Sequence, residues 1–153
     1  MRLDSEPDSW GEYWDIPGLS IRLIDPTKKF MNEHEELLAM ALDSKGVSWY
    51  YEPEITLEDN PILVDRNGHE HKKFCPDYVF SQPWMYYENG KRYIIHGFEL
   101  KGRKVNKFTR RKKQILAAKG IIIVIVHTRV LRIWMKNGGI PIKPIRKPKK
   151  IIR

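Results

Sequence analysis

Ile121-Ile122-Ile123-Val124-Ile125-Val126 is an unbroken run of β-branched apolar residues closed by His127. A half-buried strand alternates apolar and polar side chains, so a run with no polar position is expected where both faces of a strand are covered. The rest of the chain must then supply layers on both sides of a sheet. Two segments can do so as helices. From about Asn32 to Lys45, Asn32 can cap the first turn, and Glu33, Glu35 and Glu36 suit its positive dipole end. Leu37, Leu38, Ala41 and Leu42 form its apolar stripe and Gly46 stops it. A very basic second helix is expected from about Lys107 to Lys119, stopped by Gly120.

Between the helices the pattern is that of strands. Val47 to Ile55 is rich in β-branched and aromatic residues; another strand begins near Pro61 and meets an Asn67-Gly68 turn. Its return is expected from about Glu70 to Phe80. Ser81 to Arg92 is read as a turn region with Asn89-Gly90 at its apex, followed by a strand from Tyr93 to Lys101. Leu131 to Met135 is read as a last strand before Gly138-Gly139. The expected product is an α/β fold with a mixed sheet and one domain over residues 31–136. An irregular aromatic arm, residues 1–30, precedes it, and a basic tail, residues 137–153, follows; Trp10, Tyr13 and Trp14 imply that the arm packs on something.

With 153 residues and 41% hydrophobic content the chain can bury one core. Its formal net charge of +9 points to a polyanionic partner, nucleic acid first and an anionic membrane surface second. The asymmetry is sharper than the total: no Asp or Glu follows Lys101. The one cysteine, Cys75, excludes an intrachain disulfide framework. No apolar run of about 18 residues is present and the start lacks a signal-peptide layout, so a soluble, cytoplasmic protein is expected.

Two short stretches carry chemistry: Pro76-Asp77, and Glu99-Leu100-Lys101-Gly102. Strand alternation puts Glu99 and Lys101 on one face and Phe98 and Leu100 on the other. Asp77 can join them from a neighbouring strand. Two carboxylates bind a hard cation, and a nearby ammonium can orient or deprotonate water or stabilise charge on phosphorus, which is a minimal set for hydrolysing nucleic acid.

The order of acidic helix, PD, ExK, basic helix and apolar strand resembles the PD-(D/E)xK nuclease superfamily, and within it the phage endonuclease I type of Holliday-junction resolvase. The matching residues are Glu35, Ser44-Lys45-Gly46, Trp49-Tyr50-Tyr51-Glu52, Pro76-Asp77, Glu99-Leu100-Lys101-Gly102 and Arg111-Lys112-Lys113, within about residues 33 to 127. The segment between Asp77 and Glu99, with Trp84, Met85, Tyr86 and Tyr87, is longer than in that type. The resemblance implies a restriction-endonuclease-like fold and Mg²⁺ or Mn²⁺ held by Asp77, Glu99 and the Leu100 carbonyl. Glu35 would complete the site and Lys101 would act on the attacking water. It also implies a homodimer that makes paired nicks in branched DNA, and a phage or other mobile source. Lys104, Lys107, Arg110, Arg111, Lys112 and Lys113 are expected to grip phosphates; a charge run is more often a solvated helix face, but here no acids accompany it. Rival readings are a restriction-like or transposase-associated endonuclease on duplex DNA, and a non-catalytic DNA-binding protein of the same fold.

Other residues have plainer alternatives. His69, His71 and Cys75 could be three zinc ligands or ordinary hairpin residues. His96 and His127 are read as structural. Trp84, Tyr86 and Tyr87 suit base stacking or core packing. Lys143, Arg146, Lys147, Lys149, Lys150 and Arg153 are read as a basic tail that clamps DNA or keeps the chain soluble.

Overall fold

The structure, a computed structural model, describes residues 1–7, 10, 14–58, 63–71, 73–102 and 105–145. In chain order its elements are β1 (Leu19–Arg22), α1 (Glu33–Ser44), β2 (Trp49–Tyr51), β3 (Glu54–Leu57), β4 (Leu63–Val64), β5 (Glu70–His71), β6 (Lys73–Phe74), β7 (Tyr78–Glu88), β8 (Lys91–Lys101), α2 (Lys107–Ala118), β9 (Ile123–His127), α3 (Thr128–Lys136) and β10 (Ile142–Pro144). The expected mixed α/β class is present in a single small domain. Its spine is a five-stranded sheet: β7 and β8 form an antiparallel hairpin, β9 lies parallel to β8, and β2 and β10 share the other edge of β7. β1, β3 and β6 form a second sheet, and β4 and β5 a separate ribbon.

Two cores sandwich the spine. On one face α1 and α3 bring Leu38, Ala41, Leu42 and Leu131 against Trp49, Tyr78, Phe80, Phe98 and Val126. On the other, Leu116 of α2 meets Ile55, Leu57 and Phe74 of the small sheet, with Val79 and Ile123 from the spine. The β9 run serves both: Ile122, Val124 and Val126 pack into the first core, Ile121 and Ile123 into the second. That dual burial is why it has no polar position before His127.

The β7–β8 hairpin turns at Asn89-Gly90, both with positive φ (51° and 75°), as a tight two-residue turn requires. The turn region expected over Ser81 to Arg92 is thereby corrected: only its apex is a turn, and its flanks extend both strands. Midway, β7 spends residues 80–83 opposite His96 alone, a bulge that accommodates Pro83. The bulge also hands the edge of β7 from β2, paired up to Phe80, to β10, paired from Trp84.

Three further expectations are corrected. Leu131 to Met135 is helical: within α3 the inward residues are Val130, Leu131 and Trp134, a spacing of three to four, with Arg129, Arg132 and Lys136 outside. The strand expected over Val47 to Ile55 breaks at Glu52, whose φ of +47° sends β2 and β3 into different sheets. The strand expected over Glu70 to Phe80 likewise splits into β5, β6 and the start of β7. The segment 1–30 packs as anticipated: β1 pairs with β3, Trp14 and Ile21 enter the second core, and Arg2 bridges to Trp49. Tyr13 lies outside the described residues. Of the C-terminal segment, Ile142–Pro144 joins the sheet as β10. No helix among the described residues is long and apolar enough to cross a membrane.

Candidate metal centre

The last β7–β8 pair is Tyr78 opposite Phe98, and one step beyond it two side chains take over from the backbone ladder. The Asp77 N–H donates to Glu99 Oε2 at 3.1 Å, and the Leu100 N–H donates to Asp77 Oδ2 at 2.7 Å. Asp77 and Glu99 are therefore locked at the point where the hairpin strands part. Phe98 enters the first core and Leu100 packs against it, so Glu99 and Lys101 share the opposite face as alternation requires. Lys101 Nζ stands 3.5 Å from Glu99 Oε1.

Of the three acids opening α1, only Glu35 turns inward, 6% exposed. The Asn32 side chain caps its N–H at 3.0 Å. The Tyr51 hydroxyl donates to Glu35 Oε2, the Met31 N–H reaches the same oxygen at 3.3 Å, and the Tyr78 hydroxyl donates to the Glu35 carbonyl. A fourth carboxylate, Glu52, was not among the expected site residues. Its left-handed backbone and its N–H, which donates to the Asp77 carbonyl at 2.9 Å, bring it beside Asp77. Lys28 from the N-terminal segment forms an ion pair with it. Carboxylate oxygens of Glu35, Glu52 and Asp77 lie within 4.8 Å of one another, the one such group among the described residues, while Glu99 adjoins it through Asp77.

Crowding acids in a shielded corner disfavours their charged forms. Burial and then the Glu99 charge push Asp77 up to about 8; the Leu100 N–H opposes this, and Glu35 and Glu52 add to it. Glu99 is also raised by burial, with Lys101, the Asp77 N–H and Lys112 pulling it back. The Tyr51 and Tyr78 hydroxyls are driven far up, chiefly by burial, and remain donors. Three carboxylates in close reach of one another are a set of hard oxygen donors that could hold a metal ion.

Beside Glu99 and Lys101 a pocket opens toward α2, where Thr109, Lys112 and Lys113 form its polar side and Phe74, Leu116 and Ile123 belong to its apolar lining; Cys75 lies in it as well. The cations of α2 do not form one stripe. Lys112 and Lys113 line this pocket, Arg110 borders a hollow with Val105, Gln114 and His127, and Lys107 and Arg111 line a third depression. Lys104 lies outside the described residues, as do Arg146, Lys147, Lys149, Lys150 and Arg153; Lys143 stands over the Tyr87 ring.

The three zinc candidates do not assemble. His69 and His71 both turn to Asp65, at 3.5 and 2.9 Å, while Cys75 lies in the pocket beside Glu99. Trp84 and Tyr86 are buried in the first core. His96 is buried, and its Nδ1 accepts the Ile122 N–H at 3.1 Å. Compared with protein-family models, with curated proteins and with solved structures, the chain matches none.

Proposed function

We propose that the chain is a Mg²⁺- or Mn²⁺-dependent endonuclease with a restriction-endonuclease-like site, acting on branched DNA as a homodimer. One observation carries the reading: Glu35, Asp77 and the Glu99/Lys101 pair, from three separate parts of the sequence, converge at one end of the central sheet beside the cationic wall of α2. Asp77, Glu35 and Glu52 would hold the cation, with Glu99 alongside. When bound, that cation would lower the pKa of water and offset charge on the phosphate. Lys101 stands where its ammonium can orient the attacking water and meet charge developing on a phosphate oxygen. Lys112 and Lys113 would seat the phosphodiester in the pocket, so that water attacks phosphorus in line with the P–O bond that breaks. Tyr51 and Tyr78 keep Glu35 oriented by donating to it.

Branched DNA and the homodimer come from the resemblance to junction-resolving nucleases: paired nicks across a junction need two centres, which a dimer of single-site chains would provide. The test is cleavage of an end-labelled four-way junction and of its linear arms, with Mg²⁺ and with EDTA, by wild type and Asp77→Ala. Paired nicks near the branch that need metal and vanish in the variant are expected. Cleavage of linear duplex alone would make the protein a duplex endonuclease, and binding without cleavage in either metal would remove the enzymatic reading.

A further inference from the structure

Lys107 and Arg111 point away from the proposed cleavage pocket, into an open groove whose other wall is the β4–β5 ribbon. The ribbon and its turn contribute Val64, Asp65 and Arg66. It is held against α2 by an edge-on contact of the His71 and Phe108 rings, with centroids 4.6 Å apart. Asp65 is the groove's one acid among the described residues, and its oxygens are already engaged by His71 Nε2 and by the N–H groups of Asn67 and His69, all at 2.9 Å. Arg66, Lys107 and Arg111 are exposed, and no described acid forms an ion pair with any of them. Among the described residues the groove thus has three cations on its two walls against the single carboxylate of Asp65, whose oxygens are already engaged.

We infer that this groove is a clamp for a DNA phosphate backbone, with the β4–β5 ribbon and the first turns of α2 as its two jaws. The choice of DNA rests on the nuclease reading; the charge complementarity does not. From Lys112 to Lys107 the helix rises roughly 7.5 Å, at about 1.5 Å per residue. A strand advances about 3.4 Å per nucleotide along a duplex. Five residues also turn α2 by about 140°, so the groove faces a different side of the helix from the pocket, and a backbone wrapping α2 by that turn would offer it a phosphate roughly two or more nucleotides from the scissile one. Arg66, on a ribbon with no place in the cleavage chemistry, becomes a positioning contact for the substrate arm.

The experiment is binding of a fluorescein-labelled four-way junction and a linear duplex to the full chain in EDTA, across a salt series. Wild type is compared with Arg66→Ala and with the triple variant Arg66→Ala/Lys107→Ala/Arg111→Ala, and circular dichroism melts check that each is folded. Each phosphate contact contributes about 0.9 to the slope of log K against log salt. Arg66→Ala should lower that slope by about 1, the triple variant by between about 2 and 3, with at least a tenfold loss of affinity at about 0.1 M salt. An unchanged slope in a folded Arg66→Ala chain overturns the clamp, even if the triple variant is too unstable to measure. Normal binding by a wild type that never cleaves removes the nuclease reading and leaves the clamp. Cleavage by wild type with unchanged slopes in the variants removes only the clamp.

Discussion

Asp77 is held in a form that the unfolded chain would not keep. Its carboxyl titrates at about 8 in the fold against an ordinary 3.8, because burial and the Glu99 charge resist ionisation. Between those values the folded state retains a proton that the unfolded chain has lost. Without metal, this contribution to stability is complete below about pH 4 and is lost as pH rises through about 8. Asp77→Asn keeps an oxygen for the Leu100 N–H and removes the charge. It should melt higher than wild type at pH 8 in EDTA, lose its thermal response to Mg²⁺, and lose cleavage by about a thousandfold or more; calorimetry with and without Mg²⁺ reads the first two. His96 has the opposite sign: burial lowers it to about 4 from 6.5, so its contribution is complete above about pH 6.5 and is lost as pH falls through about 4. The full effect is about 3 kcal/mol. The two slopes oppose each other across that window, so His96 is best read in the Asp77→Asn background. There, stability should fall on acidification from pH 6.5 to 4, and His96→Asn, whose amide oxygen can accept the Ile122 N–H, should flatten the fall.

The element that sets the spacing of Asp77 and Glu99 is the β7–β8 hairpin, and Gly97 is its tightest point. A Cβ there would stand 2.1 Å from the Tyr78 carbonyl oxygen and 3.1 Å from Ile123 Cδ1. The first is backbone and has no rotamer to give, so Gly97→Ala must push β7 from β8 one residue from the Asp77–Glu99 contact. A loss of about 3 kcal/mol or more is expected in urea unfolding, with cleavage falling further than the unfolded fraction explains. Much at this scale was legible in the sequence. The Asn89-Gly90 apex, the two helices stopped by Gly46 and Gly120 and the β9 run each rest on a local rule that tertiary packing did not override. Leu131 to Met135 misled because a short apolar run fits either period, and only the burial of Val130 and Trp134 with Leu131 decides for helix. Glu52 escaped notice for a different reason. Its role depends on a positive φ before Pro53, a conformation that no strand pattern announces and that the Asp77 carbonyl helps to hold. Glu35, by contrast, is set apart from Glu33 and Glu36 only by the family resemblance, and it is the one of the three that is buried.

At the scale of the whole molecule, a boundary near residue 30 looks natural in the sequence, where an irregular aromatic segment gives way to a capped helix. The packing removes that boundary. Trp14 and Ile21 lie in the second core, β1 covers the edge of β3, and the Arg2 guanidinium sits 5.0 Å from the Tyr51 ring centre. Lys28 closes on Glu52 beside the metal-binding acids. Burying Trp14 and Ile21 alone is worth about 4 kcal/mol. A domain's whole stability is only about 5 to 15 kcal/mol. Losing β1 as well opens one edge of β3, which keeps only β6 as a partner, and the freed N–H and C=O groups invite association. A chain lacking residues 1–30 should therefore fail to unfold cooperatively in urea and should aggregate, although it keeps Asp77, Glu99 and Lys101. A sigmoidal transition within about 1 kcal/mol of the full chain would show that the first thirty residues are an appendage after all. Lys28→Met separates the segment's two contributions, since it leaves Trp14 and β1 in place while freeing Glu52. It should fold as wild type and bind Mg²⁺ several-fold more tightly, because a competing cation has been removed from one of the three clustered carboxylates; isothermal titration with Mg²⁺ decides it.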